Sequence, residues 1–309
     1  MVKRPERLAG VDGTDLSGVE ALVTGSTSGI GREAALALGR LGAETVVVHG
    51  RDGKAGAELV DDLAGTGTDA EFVRADFADL DSVRELAANV RAETGGLDIL
   101  LNNAGGFFRE SRRTDLGVEY TFHVNHLSPY LLTAELLDHL REGARVVTTA
   151  SAAHTGTSLD IERATEPDPD AGSWAYSHSK LANVLFAAEF ARRLEAAGRS
   201  VTSNSVHPGA IPGSGFTRFL PGPLPRLVQL LDAVPGVTSV ADGAAELLFV
   251  AVSDRTVDVT GRYFAGQEPT RPSGPARDPG NARRLWTESA RLLGIEEPLA
   301  EDAEAEETV

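Results

Sequence analysis

The sequence predicts an α/β fold: one parallel, doubly wound sheet with helices on both faces. Three observations carry that prediction. Short apolar, β-branched runs recur along the chain. Stretches of helical periodicity separate them. A glycine-rich turn follows the first run and opens the first helix. Strands that alternate with helices make a parallel sheet covered on both sides. Their right-handed crossovers give a single-domain, Rossmann-like doubly wound parallel sheet with helices on both faces.

The elements follow in order. Residues 20–24, with Leu22 and Val23, form a buried strand that ends at Gly25. Helical periodicity covers 30–41. Residues 44–49 are a second, β-branched strand, 54–63 a helix and 71–74 a third strand. Residues 82–93 are amphipathic, with Val83, Leu86, Ala87 and Val90 on one face. Strand four is 98–102, a long helix spans about 116–140, and strand five is 144–149. A strong helix covers 176–196 and strand six 200–206. Residues 209–235 break the rhythm; rich in Pro, Gly and large apolar residues, they suit a substrate loop. The chain thus divides into an N-terminal extension (1–17), one domain (18–294) and an acidic tail (295–309). Seven acids at 296–309 predict disorder in that tail.

Composition narrows the function. The 309 residues carry a formal charge of −17, which disfavours nucleic acid and anionic membranes as partners. There is no cysteine, so disulfides, Cys-ligated zinc and thiol catalysis are excluded. The polar N-terminus leads into no signal peptide, and no run of about 18 apolar residues exists to span a bilayer. A cytoplasmic location is the expectation. Lysine occurs only at 3, 54 and 180 among 29 basic residues. GC-rich coding or adaptation to high salt could each produce that bias. A lysine at 180 in so lysine-poor a chain suggests that arginine, a permanently charged planar fork, would not serve there.

The turn of Gly25, Ser26, Thr27, Ser28, Gly29, Ile30 and Gly31 lies between the first strand and the first helix. Glycines permit tight turns and close backbone approach, and the helix N-terminus offers N–H groups to a phosphate. The spacing is Gly-x3-Gly-x-Gly, not the commoner Gly-x-Gly-x2-Gly. After the second strand an NAD-type site carries an acid for the ribose hydroxyl. Here stand His49, Gly50, Arg51 and Asp52. Arg51 and Arg32 could clamp a 2′-phosphate, which favours NADP(H) over NAD(H); Asp52 could instead serve the hydroxyl. Asp76, followed by Phe77, could accept from an adenine amino group. Asn103, Ala104 and Gly105 allow the backbone to line a cofactor.

Tyr176 and Lys180 lie four apart on a helix, on one face. A phenol pKa near ~10 is too high for efficient proton exchange at neutral pH, and a nearby ammonium lowers it. Lowering it by roughly three units takes about 4 kcal/mol, more than one lysine supplies, so a cationic cofactor should be close.

In this order the glycine turn, Asn102 to Gly105, Asn125, Ser151, Tyr176 with Lys180, and Pro208-Gly209 resemble the short-chain dehydrogenase/reductase family. The resemblance covers roughly 18–294. It is nearest to the retinol dehydrogenase-like branch through the stretches 125–133, 176–186 and 261–264 and the 25-residue gap from Ser151 to Tyr176. It implies Tyr176 as general acid in carbonyl reduction and base in alcohol oxidation. Lys180 would lower its pKa and bind the nicotinamide ribose, and Ser151 would hold the substrate oxygen. Asn125 would anchor a relay water, and Pro208 and Gly209 would pass beside the nicotinamide. It also leaves room for a homo-oligomer, a dimer or tetramer. The substrate would be a small-molecule carbonyl or alcohol.

Three departures stand out. Ala150 replaces a frequent serine. Pro212 and Gly213 stand where the family often has a carboxamide-binding threonine. No amphipathic anchor is expected before the domain. Reduction of a carbon–carbon double bond, or a catalytically idle NADP-binding sensor, remain alternatives on the same residues. His154, His178 and His207 read as structural or surface residues, and His123 and His126 lack a third ligand, so no metal is expected. Phe107, Phe108, Phe216, Phe219 and Leu220 could line a substrate pocket or pack in the core.

Overall fold

The computed structural model describes residues 3–166, 168–209 and 238–300. Its sheet contains β1 (Glu20–Val23), β2 (Thr45–Gly50), β3 (Asp69–Arg74), β4 (Leu97–Asn102), β5 (Leu140–Thr149), β6 (Thr202–His207) and β7 (Tyr263–Ala265). Every pairing is parallel, and the order is β3-β2-β1-β4-β5-β6-β7. The chain winds outward from β1 to β3, then returns to the other side of β1 and winds outward again. The reversal between β1 and β4 is the switch point at which doubly wound sheets bind ligands.

Burial on both faces explains the continuous apolar runs. Leu22, Val47 and Leu100 enter one core, while their neighbours Val23, Val48 and Leu101 enter the other. Helices α4 (Leu80–Glu93), α6 (Ser128–Glu135), α8 (Gly172–Ala196) and α10 (Pro279–Leu293) cover the first core. Helices α2 (Gly29–Arg40), α3 (Gly53–Ala64) and α9 (Val240–Val252) cover the second. Short helices α1 (Pro5–Leu8), α5 (Tyr120–Phe122) and α7 (Ile161–Thr165) complete the described set. The N-terminal extension docks through Glu6, whose carboxylate accepts from Arg40 Nε and Nη2 at 2.9 Å each, and Lys3, 2.8 Å from Asp242.

Two expectations are corrected. The helix expected over 116–140 is broken. Gly117 turns at φ +81°, and the buried Glu119 carboxylate accepts from the Phe122 amide at 2.8 Å to start α5. A π turn, His123–Leu127, separates α5 from α6, and Leu140 already opens β5. Apolar spacing does not register a widened turn, nor a run that passes from helix into strand. The disorder expected from 295 also fails at its start. Ile295 and Leu299 pack on the first core, Trp286 Nε1 donates to the Pro298 carbonyl at 3.2 Å, and Arg193 donates to the Leu299 carbonyl at 2.9 Å. Acidic composition hides two apolar anchors. Residues 301–309, and 210–235 of the expected substrate loop with Phe216, Phe219 and Leu220, lie outside the described residues. Strand β7 and helices α9 and α10 add to the elements expected from periodicity.

Candidate active site

A cleft of about 720 Å³ opens along the carboxyl ends of β1 to β6. That size suits a cofactor with a small substrate. The turn between β1 and α2 forms its floor near the middle, between the ends of β2 and β4. A Cβ on Gly25 (φ +66°) would lie 2.8 Å from Ala104 Cα, and one on Gly31 would lie 2.5 Å from the Gly25 carbonyl oxygen. These two glycines let backbones touch. Gly29 (φ +59°) has nothing within 4 Å of its Cβ position and lines the cleft with Thr27, Ser28 and Ile30. Ser28 caps α2 by position but makes no side-chain cap bond, so the helix N-terminus keeps its N–H donors available.

Ser26 and Gly31 do not line the cleft, contrary to expectation. Ser26 is fully buried; its hydroxyl accepts from the His49 amide at 2.9 Å. Gly31 lies behind the turn, pressed on Gly25. The sequence also gave no role to His49. Its Nδ1 accepts from the Gly25 amide at 3.2 Å, and its Nε2 lies 3.2 Å from the Ala75 carbonyl. The ring thereby ties the ends of β1, β2 and β3 and stacks on Phe77 at 4.6 Å. Burial pushes it down to about 4, so it is neutral. Asn103 acts similarly for β4, donating to the Thr24 carbonyl at 3.0 Å.

At the β2–β3 end, Arg51 stands on the rim, 3.8 Å from Asp76, with both side chains about half exposed. Arg32 does not join it. Its guanidinium pairs with Asp62 of α3 and stays outside the cleft. The helical turn that follows Gly31 carries its side chain toward α3. Asp52 spends one carboxylate oxygen on capping α3, accepting from Lys54 N at 3.0 Å and Ala55 N at 3.2 Å.

The other end gathers Ser151, Tyr176 and Lys180. Ser151 follows β5; its Oγ accepts from the Ala153 amide at 3.2 Å and hydrogen-bonds with the Tyr176 side chain. Lys180 Nζ donates to the Thr149 carbonyl at 2.9 Å, which also accepts from Asn183 Nδ2 at 3.0 Å. Burial alone pushes Lys180 down to about 8. Its Nζ lies 5.8 Å from the Tyr176 ring centroid. The phenol's pKa is nevertheless raised, because burial outweighs the lowering by Ser151. The expectation that Lys180 lowers it is not met by these side chains on their own. Pro208 and Gly209 line the cleft beside them, and Gly209 (φ +93°) leaves room only for the Thr238 methyl.

Asn125 is close but does not line the cleft. It sits in the π turn with its Oδ1 accepting from Gly106 N at 2.9 Å, and its Nδ2 donating to Gly106 O at 2.9 Å and Ser179 Oγ at 3.0 Å. Its side chain braces the loop after β4 instead of facing solvent. That loop brings Phe107 and Phe108 into the cleft wall with Tyr120 and Val124. Phe107 meets the Tyr176 ring edge-on at 5.6 Å. His178 is fully buried between Trp174 and Phe122, whereas His207 lines the cleft, which its scattered position in sequence did not reveal. Among the described residues no group of three or more His, Cys, Asp or Glu could hold a metal, and no helix is long and apolar enough to cross a membrane.

The family model for short chain dehydrogenase matches residues 20–219. Retinol dehydrogenase 13 from Homo sapiens is 37% identical over 299 residues, covering 92% of this chain and 87% of that protein. A crystal structure of an uncharacterised protein from Mycobacterium paratuberculosis aligns with TM-score 0.73 and 31% identity, covering 92% of this chain and 97% of that one. A short chain dehydrogenase from Burkholderia cenocepacia, solved in complex with NADP, aligns with TM-score 0.66 and 28% identity, covering 86% of this chain and 100% of that one.

Proposed function

The chain belongs to the short-chain dehydrogenase family, in its retinol dehydrogenase-like branch, and from that premise we propose that it reduces or forms a carbonyl on a small molecule with NADP(H), favoured over NAD(H), using Tyr176 as the proton donor and acceptor. Family membership makes it an oxidoreductase of the nicotinamide-binding kind. The observation that carries this reading is the meeting of Ser151, Tyr176 and Lys180 at one end of the cleft.

The residues present fit a phosphorylated dinucleotide. Gly25 and Gly31 hold the turn tight, Gly29 leaves its open side free, and the start of α2 retains its donors. Arg51 supplies a rim cation suited to a 2′-phosphate. Asp52, partly spent on its helix cap, is a poorer partner for a ribose hydroxyl. NADP in the Burkholderia relative supports the same preference.

The bound cofactor would supply hydride to a carbonyl carbon or take it from an alcohol. The chain supplies orientation and a proton. Ser151 Oγ holds the substrate oxygen beside the phenol, and Tyr176 donates its proton to that oxygen as negative charge develops there. A phenol kept protonated by burial is ready to act in the reductive direction. The Lys180 ammonium, held on the Thr149 carbonyl, stabilises the phenolate left behind. Phe107 and Phe108 give the reacting end an apolar wall.

The test is a panel of aldehydes, ketones and alcohols with NADPH/NADP⁺ and NADH/NAD⁺, followed by nicotinamide absorbance. Turnover of carbonyls with NADPH above NADH is expected. Silence from protein that binds NADPH by fluorescence would sink the reading.

A further inference from the structure

We propose that His154 is a positioning residue for the catalytic serine: it latches the Ser151 carbonyl to the Ser273 amide and so fixes where the Ser151 hydroxyl meets substrate. The inference rests on the role given to Ser151 above.

His154 sits in the 3-10 turn Ala152–Gly156 directly after Ser151 and is 1% exposed. Its amide donates to the Ser151 carbonyl at 3.1 Å, and its Nδ1 lies 2.7 Å from the same oxygen. Its Nε2 lies 3.1 Å from the amide nitrogen of Ser273, 119 residues on. A backbone amide can only donate, so Nε2 carries the lone pair. The ring proton is therefore on Nδ1, where it donates to Ser151. Burial lowers the pKa against the effect of the Ser151 bond and keeps this neutral form.

The far end of the latch is itself anchored. The Thr270 amide donates to the Tyr263 carbonyl at 2.7 Å, and the Pro272 carbonyl accepts from Arg277 Nε at 3.2 Å. The Tyr263 ring meets the imidazole at 4.8 Å. The serine is thus braced by the loop after β7 as well as by β5. Its hydroxyl is aimed by the Ala153 amide, in the same turn that the imidazole holds. A displacement of about 1 Å at such a group can cost on the order of a hundredfold in rate.

Two substitutions divide the latch. His154→Asn keeps a side-chain N–H near the Nδ1 position, and His154→Gln places an amide oxygen near the Nε2 position. Each cuts one half of the latch, so with benzaldehyde and NADPH kcat should fall about tenfold or more in both, with NADPH affinity and melting temperature near those of the wild type. A kcat kept within about threefold in either variant, or losses that track NADPH binding, would overturn the proposal. A long-range nitrogen–proton correlation spectrum of the histidine rings gives a readout free of activity. The ring signal absent from His154→Asn must show the Nδ1–H tautomer in the wild type, and an Nε2–H tautomer overturns the latch. Ser151→Ala keeps the two ideas apart. Retained turnover in Ser151→Ala refutes the serine's role. Lost turnover there, with kcat kept in His154→Gln or His154→Asn, refutes the latch alone. If the wild type leaves benzaldehyde untouched, the carbonyl it reduces fastest in the panel replaces it; silence across the panel counts against the reductase reading, and the spectrum judges the latch.

Discussion

The two ends of the cleft treat charge in opposite ways. At the β2–β3 end Arg51 and Asp76 are about half exposed and 3.8 Å apart, a loose pair in water. At the β5–α8 end Lys180 is 5% exposed, bonded to a backbone carbonyl and pushed down to about 8. An exposed cation attracts an anion without much cost of desolvation, and that attraction is what phosphate recognition needs. A buried cation and a half-buried phenol have their proton affinities moved, as proton transfer needs. The scaffolding differs as well. Neutral His49, Ser26 and Asn103 brace the phosphate end, while Asn125, Asn183 and His154 brace the catalytic end.

The sharpest way to separate the ends is Tyr176→Phe, which removes one oxygen and keeps the ring that packs on Phe107. Turnover should fall on the order of 10²- to 10⁴-fold, with NADPH affinity by fluorescence changed less than about twofold. Retained turnover would take proton transfer away from this end. Next in size is Arg51→Ala, expected to weaken NADPH about tenfold or more while barely changing NADH. Equal losses for both cofactors, measured by titration, would remove the phosphate role from the rim.

Acidity probes the buried end alone. Lys180 is charged below about 8 and loses its charge as pH rises through that value. Reductive kcat should therefore hold through neutral pH and decline above about 8, by at most roughly tenfold per pH unit. A profile flat to much higher pH would mean that the ammonium contributes nothing. The smallest effect belongs to Arg32→Ala. Its partner is Asp62, so cofactor affinity should change by no more than about twofold. A loss matching that of Arg51→Ala would restore Arg32 to the clamp.

Much of this was legible in the chain itself. The alternation of β-branched runs with amphipathic stretches records burial on two faces, and burial is a property of local periodicity. The glycine turn is legible because positive φ and backbone contact demand glycine. Tyr176 and Lys180 are legible because a spacing of four puts them on one helix face, and Ser151 is legible only through the family resemblance.

The rest depended on which residues meet across the fold. Sequence could not tell that Arg51 faces the cleft and Arg32 faces Asp62, because the choice is set by the direction of α2 and the position of α3. It could not show Ser26 and His49 tying strand ends together, since their contacts follow from β1–β2 pairing. The interrupted helix at His123–Leu127 escaped it because a π turn leaves the apolar pattern nearly intact. What the sequence determined by itself was the alternation of strands and helices through β6, the glycine turn and the chemical types of the candidate groups, all fixed by near neighbours along the chain. Only the tertiary structure decided which of those groups are buried, which are spent on bracing and how His154 holds Ser151, because burial and hydrogen bonding between residues as far apart as 154 and 273 are set by packing and register.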